Sequence, residues 1–591
     1  MQKAAVVLDV LRERGRKGLP LTQLYRQMFS KNLYLLAYGN IYSNQGAMTP
    51  GASEETADGM SGDKIDQIIE LMRYERYRFA PARRIYIPEK NGKLRPLGLP
   101  SWSDKLVGEV VRLLLEAYYE PQFSDQSHGF RKGRGCHTAL REIRNTWVGT
   151  TWFIEGDISD CFGSLDHEIM VKILAEKIHD QRFLRLIRHM LKAGYLEDWE
   201  YHDTLSGVPQ GGVVSPVLSN IYLNKLDESV ERDLIPRYTR GASRARNPEY
   251  MRIRARRDSA RRRGDRATAR DLTRQMRTLP SIDPKDPGYR RLRYIRYADD
   301  HILGYIGPKA EAEQIKAELA AFLRETPGLE LSQDKTLISH ARTQPARFPG
   351  YHIIVQHCDT RITYGRRSAN GRIALRVPPD VIKASIAPYR RRGNPWHRPG
   401  LQNPDDYDIA RTYAAEYRGI VNYYLRAQDV RRLSTLCWHA QTSMLKTLAA
   451  KHKSSVAKMA ARYKAKVITG HGPRTGFEAR RHRQGKKDLV ARFGGIPLKQ
   501  DRRAVIHDPA PARNGYPRKE LIHRLRKRAC EPCEHGTTVA VHQVAALSQP
   551  GRPGPGQPAW AALMTQMRRK TLIVCAPCHE YIHASPIAHA A

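Results

Sequence analysis

The sequence predicts an α+β protein built from several domains. Its 591 residues correspond to roughly three to five domains, because a domain commonly holds about 150 residues. Hydrophobic residues make up 41% of the chain, enough for true cores. Segments with alternating apolar residues, typical of strands, are interspersed with segments whose apolar residues recur three or four positions apart, typical of helices. This length excludes a small disulfide-stabilised scaffold.

The charge balance predicts a polyanionic partner. Lysine and arginine number 100 against 60 aspartate and glutamate residues, so the net charge is +40, more than solubility requires. A membrane surface is the competing partner, but it calls for a basic amphipathic helix with a clean apolar face, which we do not find. No stretch approaches the ~20 apolar residues of a membrane span. We therefore expect a cytoplasmic nucleic-acid-binding protein without signal peptide or anchor.

The first elements are predicted to be a surface segment, a basic hairpin and a helix. Residues 1–80 mix helical spacing with the loop NQGAMTPGASEETADGMSG, which is too polar for a core. From Arg83, alternating residues on both sides of Asn91-Gly92 predict two short strands joined by a turn. Helical spacing then runs from about Lys105 to Tyr119.

Two adjacent acids stand at the tip of a second predicted hairpin. In RRLRYIRYADDHILGYIG, residue character alternates on both sides of Asp299 and Asp300. Asp157, at the end of the apolar strand WFIEGD, is the candidate third acid. Three carboxylates form a hard oxygen site suited to Mg²⁺, and two-metal phosphoryl transfer needs such a site. The alternative is a solvated Asp-Asp turn.

An arginine-rich segment precedes this hairpin. Between Arg237 and Arg277 lie 15 arginines, no lysine and four acidic residues. Arginine offers a planar fork for phosphate and a face for base stacking, which favours RNA binding. The alternative is a solvated helix face or a disordered insertion.

The second half of the chain is predicted to hold a helical bundle and a basic connecting region. Apolar and aromatic residues recur at helical spacing from about Ile409 to Tyr463. From Gly470 to Arg528 the composition turns to Arg, Lys, His, Gly and Pro. We interpret this stretch as a flexible linker or a small DNA-contacting module.

The tail carries two sets of candidate metal ligands. Two Cys-x-x-Cys pairs in the last 62 residues predict a structural Zn²⁺ site: Cys530, Cys533, Cys575 and Cys578. His542 follows the apolar strand TTVAV, while His579 and His583 stand four apart on one predicted helix face. These three imidazoles are candidate ligands of a second, catalytic metal.

The motifs together resemble the group II intron-encoded reverse transcriptases. FIEGDISDCF, SGVPQGGVVSPVLSNIYLNKLD and YADD, in that order, resemble a reverse transcriptase palm. RRIYIPEKNGKLRPLGLP and SHGFRKGRGCHTAL before them resemble the fingers, and LELSQDKTLISH and ARFPGYHI after them resemble the last palm blocks. YRGIVNYYLRAQDVRRLSTLCWHAQTSMLKTLAAKHKSSVAKMAARY is similar to the maturase segment, domain X or thumb.

The resemblance implies a right-hand polymerase of fingers and palm with a helical thumb and a small zinc-binding ββα tail of the HNH type. The implied domains are an N-terminal extension (1–80), fingers and palm (81–395, with an arginine-rich insertion at 237–290), thumb (396–469), basic linker or DNA-binding region (470–527) and HNH-like tail (528–591).

Site residues are carried over where this sequence matches the family's motifs. Asp157, Asp299 and Asp300 are then the catalytic ligands of two Mg²⁺ ions. The implied nucleotide-binding residues are Arg95, Lys90, Phe162 and Gln210. Where the family often has lysine after Ile-Pro, this chain has Glu89, with Lys90 beside it. The expected RNA-binding residues are Arg254, Arg256, Arg257, Arg261, Arg262, Arg263, Lys451 and Lys453.

The tail departs from the HNH endonuclease pattern that it otherwise resembles. The family usually pairs a ligand histidine with a second histidine that serves as general base, whereas this chain reads His542-Gln543. Glutamine cannot accept a proton at neutral pH. Lys570 also stands where asparagine is frequent. A zinc-stabilised DNA-binding module with residual or no cleavage is therefore the alternative to a nuclease.

The leading hypothesis is a reverse transcriptase and maturase that binds its own intron RNA, assists splicing, and uses dNTPs to copy RNA at a DNA target during retrohoming. A non-catalytic RNA-binding splicing factor on a polymerase scaffold is the second hypothesis, and a standalone nuclease the third. The acidic trio favours the first, since a scaffold gains nothing from paired acids. The sequence leaves both a monomer and a homodimer open.

Overall fold

A computed structural model describes residues 3–88, 92, 94–197, 200–202, 206–207, 212–332, 336–363, 366–469, 472–483, 486–506, 519–536, 538–546, 549–550 and 557–584. Helices and strands alternate irregularly along the described chain, and several separate sheets form. The protein is therefore a mixed α/β chain of several domains, as predicted.

The N-terminal region is a helical layer with one short strand. Its elements are α1 (Ala4–Arg16), α2 (Lys31–Ile41), β1 (Met60–Ser61) and α3 (Gly62–Arg73). The prediction that loop 44–62 lies on the surface is wrong at its C-terminal end. Ala57 and Met60 are fully buried there, because Met60 pairs with Val541 near the other end of the chain. Polarity of the loop gave no signal of this long-range contact.

The predicted basic hairpin and the helix after it are confirmed. The elements of this part are β2 (Ala82–Pro88), β3 (Leu94–Leu99), α4 (Trp102–Tyr119), α5 (Cys136–Thr146), β4 (Trp152–Gly156), α6 (Cys161–Ser164), α7 (His167–Ala175), α8 (Gln181–Leu191), β5 (Tyr195–Glu197), β6 (Glu200–His202), α9 (Ser215–Ser229) and α10 (Ile235–Arg237). β2 pairs antiparallel with β3, and the sheet order is β3-β2-β5-β6. Helix α4 is buried along most of its length.

The arginine-rich segment forms a pair of helices inserted before the next sheet. The elements are α11 (Pro248–Arg262), α12 (Arg266–Thr278), β7 (Arg291–Tyr297), β8 (Asp300–Ile306), α13 (Lys309–Glu325) and β9 (Ile338–His340). Asn247 and Asp265 cap the two helices by accepting hydrogen bonds from backbone N–H groups. Strands of this region join the earlier strand β4 in a sheet of order β7-β8-β4-β9.

A second core packs around the predicted helical bundle. Its elements are β10 (Ala346–Phe348), β11 (Tyr351–Val355), β12 (Ile362–Thr363), β13 (Arg366–Arg367), β14 (Ile373–Arg376), α14 (Pro379–Ile386), β15 (Arg390–Arg391), β16 (Asn394–Pro395), α15 (Asp406–Tyr424), α16 (Ser434–Lys451) and α17 (Val456–Tyr463). Tyr413, Tyr417 and Met444 are almost completely buried in this core. The spacing of these aromatic residues predicted helices, and α15 to α17 confirm them.

A sheet occupies much of the region in which we expected a flexible linker or a small DNA-contacting module, so the linker alternative is wrong for these strands. Its strands are β17 (Lys464–Thr469), β18 (Gly472–Arg483) and β19 (Lys486–Gly494), in the order β17-β18-β19. Phe477 and Phe493 pair across the sheet and are buried in the core of the helical bundle, with the Phe493 ring 5.6 Å from that of Tyr417. The basic composition masked these apolar anchors, which bind the sheet to the bundle.

The C-terminal region is a small ββα unit flanked by two further helices. Its elements are α18 (Lys519–Arg526), β20 (Val539–Gln543), α19 (Ala559–Met567), β21 (Thr571–Cys575) and α20 (Ala576–Ala584). β1 of the N-terminal region completes its sheet in the order β1-β20-β21. Leu521, Val541 and Ile573 belong to the same core as the N-terminal helices. The tail is therefore packed against the beginning of the chain.

Candidate active site and metal centres

The three candidate catalytic acids lie at one end of the β7-β8-β4-β9 sheet. β7 and β8 form a hairpin in which Tyr297 pairs with Asp300, and Asp299 lies in the turn. On the other side of β8, Gly156 of β4 pairs with His301. One further step in this antiparallel register places Asp157 opposite Asp300. Each of the three acids is half-buried, so this end of the sheet presents them together and leaves them accessible.

A buried ion pair holds the acidic turn. Arg296 and Asp227 are both fully buried, and their side chains pair at 2.6 Å. The same guanidinium donates to the carbonyl of Ala298 at 2.7 Å and to the Asn220 side chain at 3.2 Å. The coulombic attraction and hydrogen bonding of Asp227 outweigh burial and raise the pKa of Arg296. Arg296 therefore stays charged and fixes the turn that carries Asp299.

Sequence reasoning missed this ion pair, although a signal was present. Alternate residues of β7 share one face of the sheet, so Arg296 stands on the same face as Leu292 and Tyr294, both buried. A charged residue on an apolar face requires a buried partner. Asp227, on α9, was hidden among the helical residues of that segment.

Two close backbone approaches complete the turn. A Cβ on Gly129 would lie 2.2 Å from the Ala298 nitrogen, so only glycine fits there. Ala298 itself has a φ of 57°, the left-handed region that residues with a side chain seldom adopt. On the neighbouring strand, a Cβ on Gly156 would collide with the imidazole of His301. Burial lowers the pKa of His301 to about 4, so this imidazole is neutral beside the acids.

The candidate nucleotide-binding residues are only partly described. Arg95 lies on β3, opposite Ile87, and is exposed. Phe162 lies in the short helix α6, five residues after Asp157. Lys90 and Gln210 lie outside the described residues.

The candidate RNA-binding arginines are mostly exposed on α11 and the turn that follows it. Those with exposed side chains are Arg254, Arg256, Arg261, Arg262 and Arg263. Arg257 is largely buried and pairs with Asp258 at 2.5 Å. In the helical bundle, Lys453 is exposed, whereas Lys451 pairs with Asp406 at 3.0 Å. The exposed arginines therefore form the larger concentration of available charge.

The four tail cysteines converge on one point. Their sulfur atoms lie within 4.8 Å of one another: Cys530, Cys533, Cys575 and Cys578. The sulfurs of Cys533 and Cys575 are 3.7 Å apart, close to the ~3.8 Å expected for two thiolates on one tetrahedral Zn²⁺ with Zn–S bonds of about 2.3 Å. The backbone N–H of His535 is the main cause that lowers the pKa of Cys533 to about 6, which favours the thiolate form that binds metal.

The three tail histidines also converge, and an aspartate from the N-terminal region joins them. Ligand atoms of Asp58, His542, His579 and His583 lie within 4.8 Å of one another. Burial opposes ionisation of Asp58, but the neighbouring His542 and His579 imidazoles lower the pKa of its carboxyl. Sequence reasoning missed Asp58, because it stands alone in a polar loop with no metal-binding spacing.

Gln543 faces the N-terminal region. Its side-chain amide donates to the carbonyl of Tyr42 at 2.7 Å, and its backbone N–H donates to Asp58 at 2.6 Å. Gln543 is buried. The residue that replaces the family's general base is therefore an interface residue here.

Comparisons with known families agree with this organisation. Three family models match the chain: reverse transcriptase (RNA-dependent DNA polymerase) over residues 87–353, type II intron maturase over 382–494, and AI2M/AI1M-like HNH endonuclease over 530–579. The fold and the matches define a reverse transcriptase joined to a maturase domain and an HNH-type domain.

Known relatives match over almost the full chain. The group II intron-encoded protein LtrA of Lactococcus lactis subsp. cremoris is 36% identical over 606 residues, which cover 98% of this chain and 99% of the relative. An uncharacterised 91 kDa protein in the cob intron of Schizosaccharomyces pombe is 34% identical, covering 98% of this chain and 72% of the relative. The chain therefore belongs to the group II intron-encoded proteins, and it is an RNA-directed DNA polymerase and intron maturase with an HNH-like domain.

This result confirms the resemblance drawn from the motifs, and it implies intron RNA and other nucleic acids as partners. None of the described helices is both long and apolar enough to span a membrane.

Proposed function

We propose that Asp157, Asp299 and Asp300 are the catalytic metal ligands of the polymerase. The observation that carries this proposal is their juxtaposition on adjacent strands through the register of β4, β7 and β8. Carboxylate oxygens are the ligands that Mg²⁺ prefers, so the donor set fits two Mg²⁺ ions. When bound, such ions activate a primer 3′-hydroxyl and stabilise the charge that develops on the triphosphate.

The chain's own residues supply position and shape around that chemistry. Arg296 anchors the turn through the Ala298 carbonyl, so Asp299 is held before any metal binds. We assign Arg95 and Lys90 to the triphosphate, Phe162 to exclusion of a ribose 2′-hydroxyl, and Gln210 to the primer and nucleotide pocket. These assignments rest on matching motif positions.

The same proposal extends to the right-hand arrangement. Residues 81–395 are assigned to fingers and palm, and residues 396–469 to the thumb. The β2–β3 hairpin is then part of the fingers, and helices α15 to α17 form the thumb. Strands β17 to β19 share the core of those helices, so we assign them to the maturase domain as well.

Intron RNA is proposed to bind the arginine-rich helix pair and the thumb. Five candidate arginines near the end of α11 are exposed. Arg254 lies 3.7 Å from Asp258, one helical turn away. Exposed charges at this density attract a polyphosphate backbone and release its counterions.

Neutralising the exposed arginines should flatten the salt dependence of RNA binding. Replacing Arg256, Arg261, Arg262 and Arg263 together with glutamine should reduce the log–log slope by roughly 0.7 to 0.9 for each lost phosphate contact. Intron RNA affinity measured across a salt series gives the slope. A control variant replaces four exposed cations outside the arginine-rich helix pair: Lys192, Arg232, Lys309 and Arg324. If the wild type and the variant without the four arginines have equal slopes, this surface does not bind the RNA.

The C-terminal region is proposed to be a zinc-stabilised module that contacts target DNA and nicks it poorly. The four cysteines fit a structural Zn²⁺ in number, type and spacing. The three tail histidines fit a second metal. Gln543 cannot act as a general base, and its amide is turned toward Tyr42. Retrohoming would then depend mainly on the polymerase and on RNA binding, with dNTPs and target DNA as substrates.

Loss of one thiolate should remove one zinc ion and loosen the tail. Cys530→Ser should lower the bound zinc by one ion per chain and expose the tail to protease, because metal binding supplies much of the folding free energy of such a small module. RNA-templated extension should stay within about twofold of wild type, since the metal does not enter polymerase chemistry. Cys358→Ser is the control, because this free cysteine lies outside the cluster. Unchanged zinc content in Cys530→Ser would refute the site.

A further inference from the structure

The cluster of three histidines includes a side chain from the opposite end of the chain. The Asp58 carboxylate lies 2.8 Å from His583 Nε2, 3.1 Å from His579 Nε2 and 3.3 Å from His542 Nδ1. The Nε2 atoms of His579 and His583 are 3.2 Å apart. Asp58 is mostly buried, with 13% of its side chain exposed. Two regions separated by almost the entire sequence therefore meet at these four ligand atoms.

The separations fit coordination of one ion. Zn²⁺ binds histidine nitrogens and carboxylate oxygens at about 2.0–2.2 Å, so ligand atoms at the corners of a tetrahedron lie about 3.4 Å apart. The distances between the atom pairs named above are slightly shorter than this value. Hydrogen bonding explains part of the cluster, since the Asp58 carboxylate has hydrogen-bond contacts with His579 and His583. It does not explain the third imidazole.

His542 supplies the independent observation. This histidine is 4% exposed. Its Nδ1 lies 3.3 Å from the Asp58 carboxylate without hydrogen-bond geometry, and its Nε2 has no hydrogen-bond partner among the described residues. Burying an unsatisfied polar group costs free energy. The ring packs edge-on against Trp560, with centroids 5.6 Å apart, and its Nδ1 is the ring nitrogen that lies near the carboxylate. Coordination to a metal ion would satisfy that nitrogen.

The backbone around Asp58 positions its carboxylate before any metal binds. The N–H of Gly59 donates to the carbonyl of Val541 at 2.9 Å, and Met60 and Ser61 pair with β20. Gly59 has a φ of 72°, which glycine adopts without strain. The backbone N–H of Gln543 donates to the Asp58 carboxylate at 2.6 Å. Asp58 is therefore part of a formed sheet edge beside the histidines.

We propose that Asp58, His542, His579 and His583 bind one Zn²⁺ ion as a closed interdomain site that fastens the tail to the N-terminal region. This inference rests on the second metal set of the proposed function and adds its fourth ligand. Imidazole and carboxylate ligands suit zinc. Four protein ligands complete a tetrahedral ion and leave no open position for a water molecule. The site is therefore structural. The lack of a metal-bound water is a second reason to expect weak nicking, in addition to the glutamine at position 543.

Zinc content of the full-length protein tests the proposal. Protein stripped with a chelator and reloaded with Zn²⁺ alone should retain two ions per chain after desalting, one in each cluster. Asp58→Ala should retain one ion, and so should His583→Ala. The matched control is Glu54→Ala, which removes an exposed carboxylate from the same segment. Cys530→Ser combined with Asp58→Ala should retain none, which shows that the two losses are independent.

Hydrogen exchange provides a second readout that general unfolding would not mimic. In Asp58→Ala, the amides of Gly59 and of β1 should exchange at least tenfold faster, while those of β21 should stay protected by the remaining cysteine site. If Asp58→Ala retains two ions while His583→Ala retains one, Asp58 is not a ligand, although the histidines still bind a metal. Two ions in both variants would overturn the histidine site of the proposed function itself.

Discussion

Asp300→Ala is expected to reduce RNA-templated primer extension by about 10³-fold or more, and Asp299→Ala by a similar factor. Each tenfold change in rate corresponds to about 1.4 kcal/mol, and a catalytic metal supplies several kcal/mol of transition-state stabilisation. The measurement is single-nucleotide incorporation on an RNA template with Mg²⁺. Near-wild-type incorporation by both variants would refute the assignment of these acids.

The fold should survive both substitutions. Asp299 and Asp300 lie half-buried at one end of the sheet, so their removal leaves no large cavity in the core. Thermal unfolding should therefore change little. Asp233→Ala is the matched control, because this exposed aspartate pairs only with its neighbour Arg232 among the ion pairs described. If wild-type protein promotes splicing but extends no primer, the non-catalytic splicing-factor hypothesis is correct instead.

Asp227→Asn is expected to destabilise the polymerase region by about 3–5 kcal/mol, because breaking a buried ion pair leaves an uncompensated charge. Arg296 is fully buried. Within the described part of the chain, its other hydrogen bonds go to Ser127, Asn220 and the Ala298 carbonyl, and none of these groups carries a negative charge. Denaturant unfolding of the full-length protein measures the loss. A change below about 1 kcal/mol would show that the pair contributes little.

A double substitution separates stability from positioning. Asp227→Leu with Arg296→Met removes both charges, and such apolar replacements of buried ion pairs are often neutral or stabilising. We expect stability to recover toward wild type. Primer extension should nevertheless be low, with a larger effect on kcat than on KM. Without Arg296 the Ala298 carbonyl loses its donor, so the turn with Asp299 is no longer anchored. Full recovery of kcat would show that the ion pair has only a structural role.

Local patterns carry information about neighbours in the chain. Alternation around YADD predicted a hairpin, and the structure has β7 and β8 there. Spacing of Tyr413 and Tyr417 predicted a helix, and α15 spans both. Paired cysteines predicted a cluster, and their sulfurs meet. The hairpin and the helix are short-range, so neighbouring residues determine their geometry, whereas the two cysteine pairs lie 42 positions apart and meet through the fold.

Composition misled where a few apolar residues outweigh many charged ones. The composition of the basic stretch after Gly470 favoured a flexible linker or a small DNA-contacting module. Phe477 and Phe493 nevertheless hold its strands against the helical bundle, since two buried aromatic side chains contribute several kcal/mol. Likewise, the polar loop before α3 buries Ala57 and Met60. Whether an apolar side chain is buried depends on which part of the folded chain packs against it, and the local composition does not contain that information.

By itself, the sequence determined the family, and it predicted the order of the domains, the acidic trio and both sets of tail ligands, because each of these residues stands in a short local motif. Only the tertiary structure decided which distant residues complete these sites. Asp227 meets Arg296 across 69 positions, and Asp58 meets His583 across 525. Such partners are selected by packing and by the requirement that buried charges be paired, which acts on neighbours in space and leaves no spacing in the sequence.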